Sequence, residues 1–522
     1  MQNKKVVFSC LYPMWHYHYV TELNLIQRHL DVGDEVFIME CNESLLACEC
    51  NKSHELHHCL RCIGIRQDGV AALEGTKKAI LFDDSKRYTE EAKLFYQGLS
   101  SLSDLKQLKY EKFDVGSAVF SSLVDHSQNT NPSILEFREL IIKLIADAIN
   151  SYRNFDAWLK LNKPDEVYIF NGRYAVARGL LRACEHNEVH FYTHERTGNL
   201  NKVQLFSGGF PHDPRFYPVM ARKFWEQHSG DPEFLAEGAE FFEERPRGKL
   251  TGWQPFIGQQ TPDLLPAGFD PTKRNVAVFG SSESEMLAIE GLMEGVQFPD
   301  QLKVYSAFFS LALQRCPELF FYLRLHPNST TEGNRWWEEP MLVDLPNLSI
   351  IQPGSDISSY ALLRECEKAV GLTTTMCLEA TYWGKPSIVL GPTFYSGIDA
   401  VYEPRTLEEA CDLVAEFGLP PKAKDNAIMY GAFSRCYGDQ LQHSNPRNYY
   451  TLDFKGKILE ARAEIHSWLG ECEKRPPATG MRKWIQDRND RRRYQAIWDQ
   501  FEGWFAQTPK PRNSDELGKA SP

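Results

Sequence analysis

The chain has no apolar run near the roughly 18 residues that cross a bilayer as a helix, so nothing in it reads as a membrane span. It has no Gly-x-Gly-x-x-Gly, which disfavours a dinucleotide oxidoreductase. It has no Walker loop either: "GKPS" carries proline where Ser or Thr is needed and lacks an upstream glycine loop. No Asp-x-Asp occurs, so one common holder of a divalent cation is missing. There is no self-similarity at a solenoid period. Positive charge is also short, with 58 Lys and Arg against 70 Asp and Glu and a net charge of −12. Such a chain does not bind nucleic acid non-specifically, so any phosphate site must be local.

What remains is an ordinary soluble composition, 25 % charged and 42 % hydrophobic, over 522 residues. That length exceeds one core and implies two large domains plus extensions. "MQNKKVVFSC" passes into a strand without a signal-peptide pattern, so a cytoplasmic protein is expected, with its 13 cysteines reduced.

A β-α-β opening is expected from "KKVVFSC", a helix over 15–30 and "DVGDEVFIMEC". Residues 72–131 read as a mostly helical insertion, and a long helix follows over 133–161. "DEVYIF", a turn at "NGR", a helix at "YAVARGLLRACEHN" and "VHFYTHE" continue the alternation. Residues 211–271 are rich in Pro, Gly and aromatics with little periodicity, and the domain link is placed near their end. A second series has strands at 275–279, 319–325, 348–351, 368–371 and 386–390. Strands alternating with helices imply parallel sheets with right-handed crossovers. The expected domains are 1–265, 266–455 and a tail at 456–522, where Tyr494, Ile497, Trp498, Phe501, Trp504 and Phe505 mark an amphipathic helix.

Two segments carry most of the chemistry. "FYLRLHPN" is a buried strand ending in Arg324, His326 and Pro327; "AVGLTTTMCLEATYWGKPSIVL" ends its strand in Thr373, Thr374 and Thr375, which open a helix. Cations and helix-start N–H groups delivered to one sheet edge make a phosphate pocket. "GSSESE", with Gly280, Ser281 and Ser282, ends the first strand of the same half and faces the same edge.

The His-Pro pair, the hydroxyl run and "LEATYWGKP" resemble the C-terminal half of GT-B glycosyltransferases of bacterial capsule and lipopolysaccharide synthesis, similar to Kdo transferases and bacterial sialyltransferases. The match covers roughly 275–391; the first half is similar more loosely, through "FNGR" and "THERTGN". The resemblance implies a GT-B-like α/β fold, two Rossmann-like doubly wound domains facing a central cleft, with a returning C-terminal helix. It implies a nucleotide-sugar donor, most simply a CMP-linked acidic sugar, and a glycan or lipid-linked glycan acceptor. Carried over, Arg324 and His326 meet the donor phosphate, Thr373, Thr374 and Thr375 donate to it, Glu379 reaches the ribose and Tyr360 flanks the base. The missing Asp-x-Asp then agrees with chemistry that needs no catalytic metal.

Sugar transfer needs a base, or a nucleophile if configuration is kept. Glu195 closes one strand of the first half, and Asn171 and Arg173 close the one before it; Glu195 is assigned as base or nucleophile, with Asn171 and Arg173 orienting substrate. "ERTG" departs from the Glu-x-Gly or Glu-Asp-Gly element of similar enzymes. His194, His212 and Asp213 rank second, and Tyr12, Trp15, His16 and His18 could line an acceptor site.

"CNESLLACECNKSHELHHCLRC" (41–62) packs five cysteines and three histidines into 22 residues. Cys59-x-x-Cys62 has zinc-knuckle spacing, and Cys41, Cys48, Cys59 and Cys62 are assigned to a structural zinc, with Cys50 or His58 as substitutes and an iron–sulfur cluster as the lesser alternative. The basic stretch "KRPPATGMRKWIQDRNDRRRY" could touch an anionic inner membrane, or dock back on the first domain. Competing functions are a CDP-polyol phosphotransferase of teichoic-acid type, a UDP-sugar transferase, a non-hydrolysing epimerase, and a non-catalytic glycan-binding scaffold.

Overall fold

The structure is a computed structural model. It describes residues 3–459 except 42, 212, 214–215, 250–256, 282–300, 328, 330–334, 447–450 and 452. Ser282, His212, the C-terminal amphipathic helix and the basic stretch therefore lie outside the described residues. All described residues belong to one compact unit, Met1–Ala463.

The chain forms the expected α/β class, with two mainly parallel sheets in tandem. The first contains β1 (Lys5–Phe8), β2 (Glu35–Glu40), β3 (Lys77–Leu81), β4 (Glu166–Phe170), β5 (Phe191–Arg196) and β6 (Lys202–Ser207). The second contains β7 (Arg274–Phe279), β8 (Leu319–Arg324), β9 (Leu348–Ile351), β10 (Lys368–Gly371) and β11 (Ser387–Val389). A short β12 (Asp439–Gln440) returns to pair antiparallel with β6 at the edge of the first sheet. The first sheet runs β12-β6-β5-β4-β1-β2-β3 and the second β11-β10-β7-β8-β9.

The central strands of both sheets are covered on both faces, because they carry apolar residues at successive positions. In the first, Val7 and Ile169 pack with Ile145, Ile149 and Leu180 of the helices Arg138–Asn162 and Ala175–His186. Val6, Phe8 and Ile38 face the other way, onto Val20, Leu23 and Ile26 of the helix His16–Asp31. In the second, Val276 and Val278 meet Val304 and Phe308, while Ala277 and Phe279 meet Leu362 and Ala380. Each such fully buried Val, Leu, Ile or Phe side chain contributes about 1.5–3 kcal/mol.

Three departures from the sequence reading bear on the site. The stretch 72–131 is not purely helical, because it begins with β3, paired parallel to β2. The run "KKAIL" is a largely exposed edge strand, so it lacks the alternation that marks a half-buried one. Residues 202–207 form β6, antiparallel to β5 with Glu195 opposite Gln204. The stretch 211–271, read as irregular, holds the helices Phe216–His228 and Pro232–Glu244. The second starts as Asp-Pro starts should: Asp231 accepts from the Glu233 N–H and Pro232 occupies the first turn. Arg435, on the helix Lys424–Cys436, ties it down by donating to Glu237 (2.7 Å) and Glu244 (2.6 Å).

Candidate functional site

In each sheet the strand order reverses between its first strand and its fourth: between β1 and β4, and between β7 and β10. Crossovers leave the two strands in opposite directions there, opening a crevice at their carboxyl ends. Each crevice holds a pocket.

The second-sheet pocket is lined by Gly280 after β7, by Arg324, Leu325, His326 and Pro327 at the end of β8, and by Thr374, Thr375 and Met376 after β10. Ser359 and Tyr360 close one side, and Arg245, Ile257 and Gln260 close another. The β10 turn depends on Gly371: a Cβ there would sit 2.3 Å from Thr374 Cγ2 and 3.0 Å from Cys377 Sγ, so only glycine lets the threonines fold back over the strand end. His326 and Thr374 thus share one hollow.

Within that hollow several expected roles change. The Thr373 N–H donates to Ser281 Oγ (3.0 Å) and the Met376 N–H to Thr374 Oγ1 (3.2 Å). The helix Met376–Tyr382 therefore has its leading donors partly occupied from within, and Thr373 lines no wall of the pocket. Ser281 is likewise structural, its backbone bracketed by the Gln301 amide at 2.9 Å on each side. Glu379 is fully buried, and both its oxygens are taken: Arg245 Nε donates to one (2.9 Å) and the Tyr360 hydroxyl to the other (2.5 Å). It holds Arg245 and Tyr360 rather than presenting itself to a ribose. Arg245 also donates to Thr375 Oγ1 (3.2 Å). Arg324 lines the pocket but spends donors on the loop after β9, reaching the carbonyls of Ser355 (3.0 Å) and Gln352 (3.5 Å). Burial pulls its pKa below the ordinary value, opposed by Asp356, yet an arginine shifted this way stays charged. Arg245, Arg324 and His326 thus line the hollow, with the Glu379 carboxylate paired to Arg245 and Asp356 near Arg324.

The first-sheet pocket is lined by Asn171, Arg173 and Tyr174 after β4, Glu195 and Arg196 at the end of β5, and Trp15 and His18 after β1. Tyr217 and Phe394, 4.7 Å apart between ring centres, complete it. Asn171 adopts a left-handed backbone (φ 61°), which Asn tolerates better than most residues, and Gly172 follows at φ 82°. This turn aims the Asn171 amide at Glu195 Oε2 (3.2 Å). The Arg196 N–H donates to Glu195 Oε1 (3.0 Å), and His18 Nε2 lies 3.6 Å from the same oxygen. Arg173 lies over the Tyr174 ring and donates to its hydroxyl (2.7 Å). Trp15 packs edge-on to Phe170 at 5.4 Å, giving the pocket an aromatic wall.

The second-rank candidates separate. His18 and Trp15 reach this pocket, whereas His16 and Tyr12 do not line it. His194, one residue before Glu195, is fully buried beside Glu22 (3.3 Å). Burial raises the Glu22 pKa and His194 opposes that rise; neither side chain lines the pocket. Asp213 is buried and its carbonyl accepts the Phe216 N–H at a helix start.

The sequence reading missed Arg245, Gln260, Tyr217 and Phe394. Arg245 follows the helix Pro232–Glu244, whose Phe241 and Phe242 pack on Leu378 and Tyr382 of the second half and which Arg435 also ties down. One segment touches both pockets: Phe394 lines the first, and Tyr395 donates to the Thr374 carbonyl (2.5 Å) beside the second.

Cys41, Cys48, Cys50, Cys59 and Cys62 line one small cavity with His54 and His58. Burial raises the Cys41 thiol to about 11 and the Cys59 thiol to about 12. Burial also raises Cys62, and the neighbouring Cys48, Cys41 and Cys59 add to the rise. Among the described residues no group of three or more His, Cys, Asp or Glu is arranged to hold a metal ion as it stands. Among them, too, no helix is long and apolar enough to cross a membrane.

No family model matches the sequence, and no curated protein matches it. Solved structures similar to the chain include KpsC of Thermosulfurimonas dismutans, a β-Kdo 2,4 transferase (14 % identity, 52 % of this chain and 79 % of that one, TM-score 0.35). Another is MnaA of S. aureus in a co-structure with UDP (10 % identity, 84 % and 93 %, TM-score 0.25). A third is the UDP-GlcNAc 2-epimerase of Methanocaldococcus jannaschii with UDP-GlcNAc and UDP (11 % identity, 81 % and 97 %, TM-score 0.29). At such TM-scores the likeness carries no argument about chemistry, which rests on the two pockets.

Proposed function

We propose that this chain is a glycosyltransferase that moves a sugar from a nucleotide donor to a hydroxyl of a surface polysaccharide. The observation that supports this reading best is the convergence of Arg245, Arg324 and His326 with Thr374 and Thr375 on one hollow at a sheet switch point. Cations around a partly desolvated pocket suit a leaving phosphate, whose developing charge they stabilise without reorganising.

In this reading the donor nucleotide occupies the second-sheet pocket and the acceptor the first. The aromatic wall of Trp15, Phe170 and Tyr174 suits the apolar face of a sugar ring. Glu195, oriented by Asn171, takes the acceptor proton or attacks the sugar, and His18 stands by to share that proton. The donor is a CMP-linked acidic sugar such as Kdo or a sialic acid, whose carboxylate would add to the need for cations. The acceptor is a glycan or lipid-linked glycan at the inner membrane. No catalytic metal is required of this scheme, because side-chain cations face the phosphate.

A thermal-shift panel of CMP, CDP, UDP and GDP tests it. A ligand at 100 times its Kd stabilises the native state by about 2.7 kcal/mol, so CMP should raise the melting temperature of a chain this long by about 2–3 °C. A larger rise with CDP or UDP would redirect the donor assignment, and no rise with any of the four would overturn the reading.

A further inference from the structure

We propose that the loop after β2 is a zinc site, with one Zn²⁺ held by Cys41, Cys48, Cys59 and Cys62. The inference is independent of the sugar-transfer reading.

Three separate stretches bring these thiols to one cavity: the end of β2 supplies Cys41, the irregular loop supplies Cys48, and the helix Leu56–Ala72 supplies Cys59 and Cys62. The helical pair is three residues apart, so both sulfurs lie on one face, about one turn from each other. The loop needs such a staple, because between 41 and 55 only Leu45 and Ala47 are buried apolar residues apart from cysteines. Sulfur ligands select zinc over hard cations, and four of them close a tetrahedral structural site.

As thiols, these groups are organised by hydrogen bonds instead of a common centre. The Asn51 amide donates to Cys59 Sγ (3.2 Å), and His54 Nε2 contacts the Leu45 carbonyl (2.9 Å). Binding is a substitution: Zn²⁺ enters, four S–H protons leave to solvent, and four Zn–S bonds form, leaving a site of charge −2. Arg66, buried one turn beyond Cys62, donates to the Cys41 carbonyl (3.1 Å) and lies 3.5 Å from Glu40, so its guanidinium adjoins the site. Cys50 and His58 line the same cavity but are left outside the set, because four thiolates already close a tetrahedral site.

The site would brace more than its own loop. Leu11 and Met14, from the turn after β1, form another wall of the cavity. Between them Tyr12 stacks on Trp15 at 4.9 Å, and Trp15 lines the first-sheet pocket.

The test is elemental analysis of the full chain purified without chelator. About one zinc per chain is expected in the wild type, in Cys50→Ser and in His58→Ala, with loss of most of it in the double variant Cys59→Ser/Cys62→Ser. Because that variant could fail to fold, the wild type is also exchanged with Co²⁺. A sulfur-to-cobalt charge-transfer band with the intense visible bands of a tetrahedral site is expected. A wild type free of zinc that gives no such band after Co²⁺ loading overturns the proposal. So does undiminished zinc in the double variant, and so does iron with labile sulfide in place of zinc.

Discussion

The two sheets share a strand order around their switch points and differ in what they bring there. The first sheet offers a carboxylate, Glu195, held by an amide and approached by a histidine, against an aromatic wall. The second offers two arginines, a histidine and hydroxyls, with the buried carboxylate of Glu379 consumed in holding Arg245. Topology therefore decides where a hollow forms, and a few side chains at strand ends decide which charge it accepts. A proton acceptor on one side and cations on the other is what transfer from an anionic leaving group to a hydroxyl needs.

The largest effect is expected on the first-sheet side. Glu195→Gln should lower turnover by roughly 10²–10⁴-fold, the usual worth of a general base, while nucleotide affinity measured by calorimetry stays unchanged. Turnover close to wild type would remove Glu195 from the chemistry.

On the second-sheet side, Arg245→Gln strands the buried Glu379. Losing one partner of a buried pair costs about 3–5 kcal/mol, to be read from denaturant unfolding. Adding Glu379→Gln should restore much of that stability without restoring nucleotide affinity. If the double variant binds nucleotide as the wild type does, Arg245 is only structural. His326→Ala should weaken nucleotide binding by roughly 10–100-fold, the worth of about 1.5–3 kcal/mol in a hydrogen bond to a charged group, and should lower kcat as well, because the same contact stabilises the leaving phosphate.

The smallest effect is expected in the segment that carries Phe394 and Tyr395. Tyr395→Phe removes the hydrogen bond to Thr374, worth about 1 kcal/mol. It should move both donor and acceptor KM slightly, because Phe394 shifts with it. A change confined to one substrate would show that this segment does not connect them.

The sequence carried much of this layout, and its failures have physical causes. The five strands of the second sheet are legible because each is a short β-rich apolar run bounded by turn residues, as in "NVAVFG" and "KAVG". Convergence of His326 with Thr374 follows from two such strands ending in polar groups, which strand order alone brings together. β3 escaped because an exposed edge strand needs no alternating pattern. Glu379 was misassigned because its partner, Arg245, is 134 residues away, and a buried carboxylate in a sequence looks the same whether it awaits a ribose or holds a guanidinium. Asp231-Pro232 was a readable helix start inside a stretch whose prolines and glycines masked it.

The central claim is that the cation-lined hollow of the second sheet binds the donor nucleotide while the first sheet supplies the reacting carboxylate. Side-by-side calorimetric titration of wild type, Glu195→Gln and His326→Ala with CMP, CDP and UDP tests it most directly. The account predicts that at least one nucleotide binds wild type and Glu195→Gln equally and binds His326→Ala at least tenfold more weakly. Equal binding to all three proteins, or weakening only in Glu195→Gln, would contradict it.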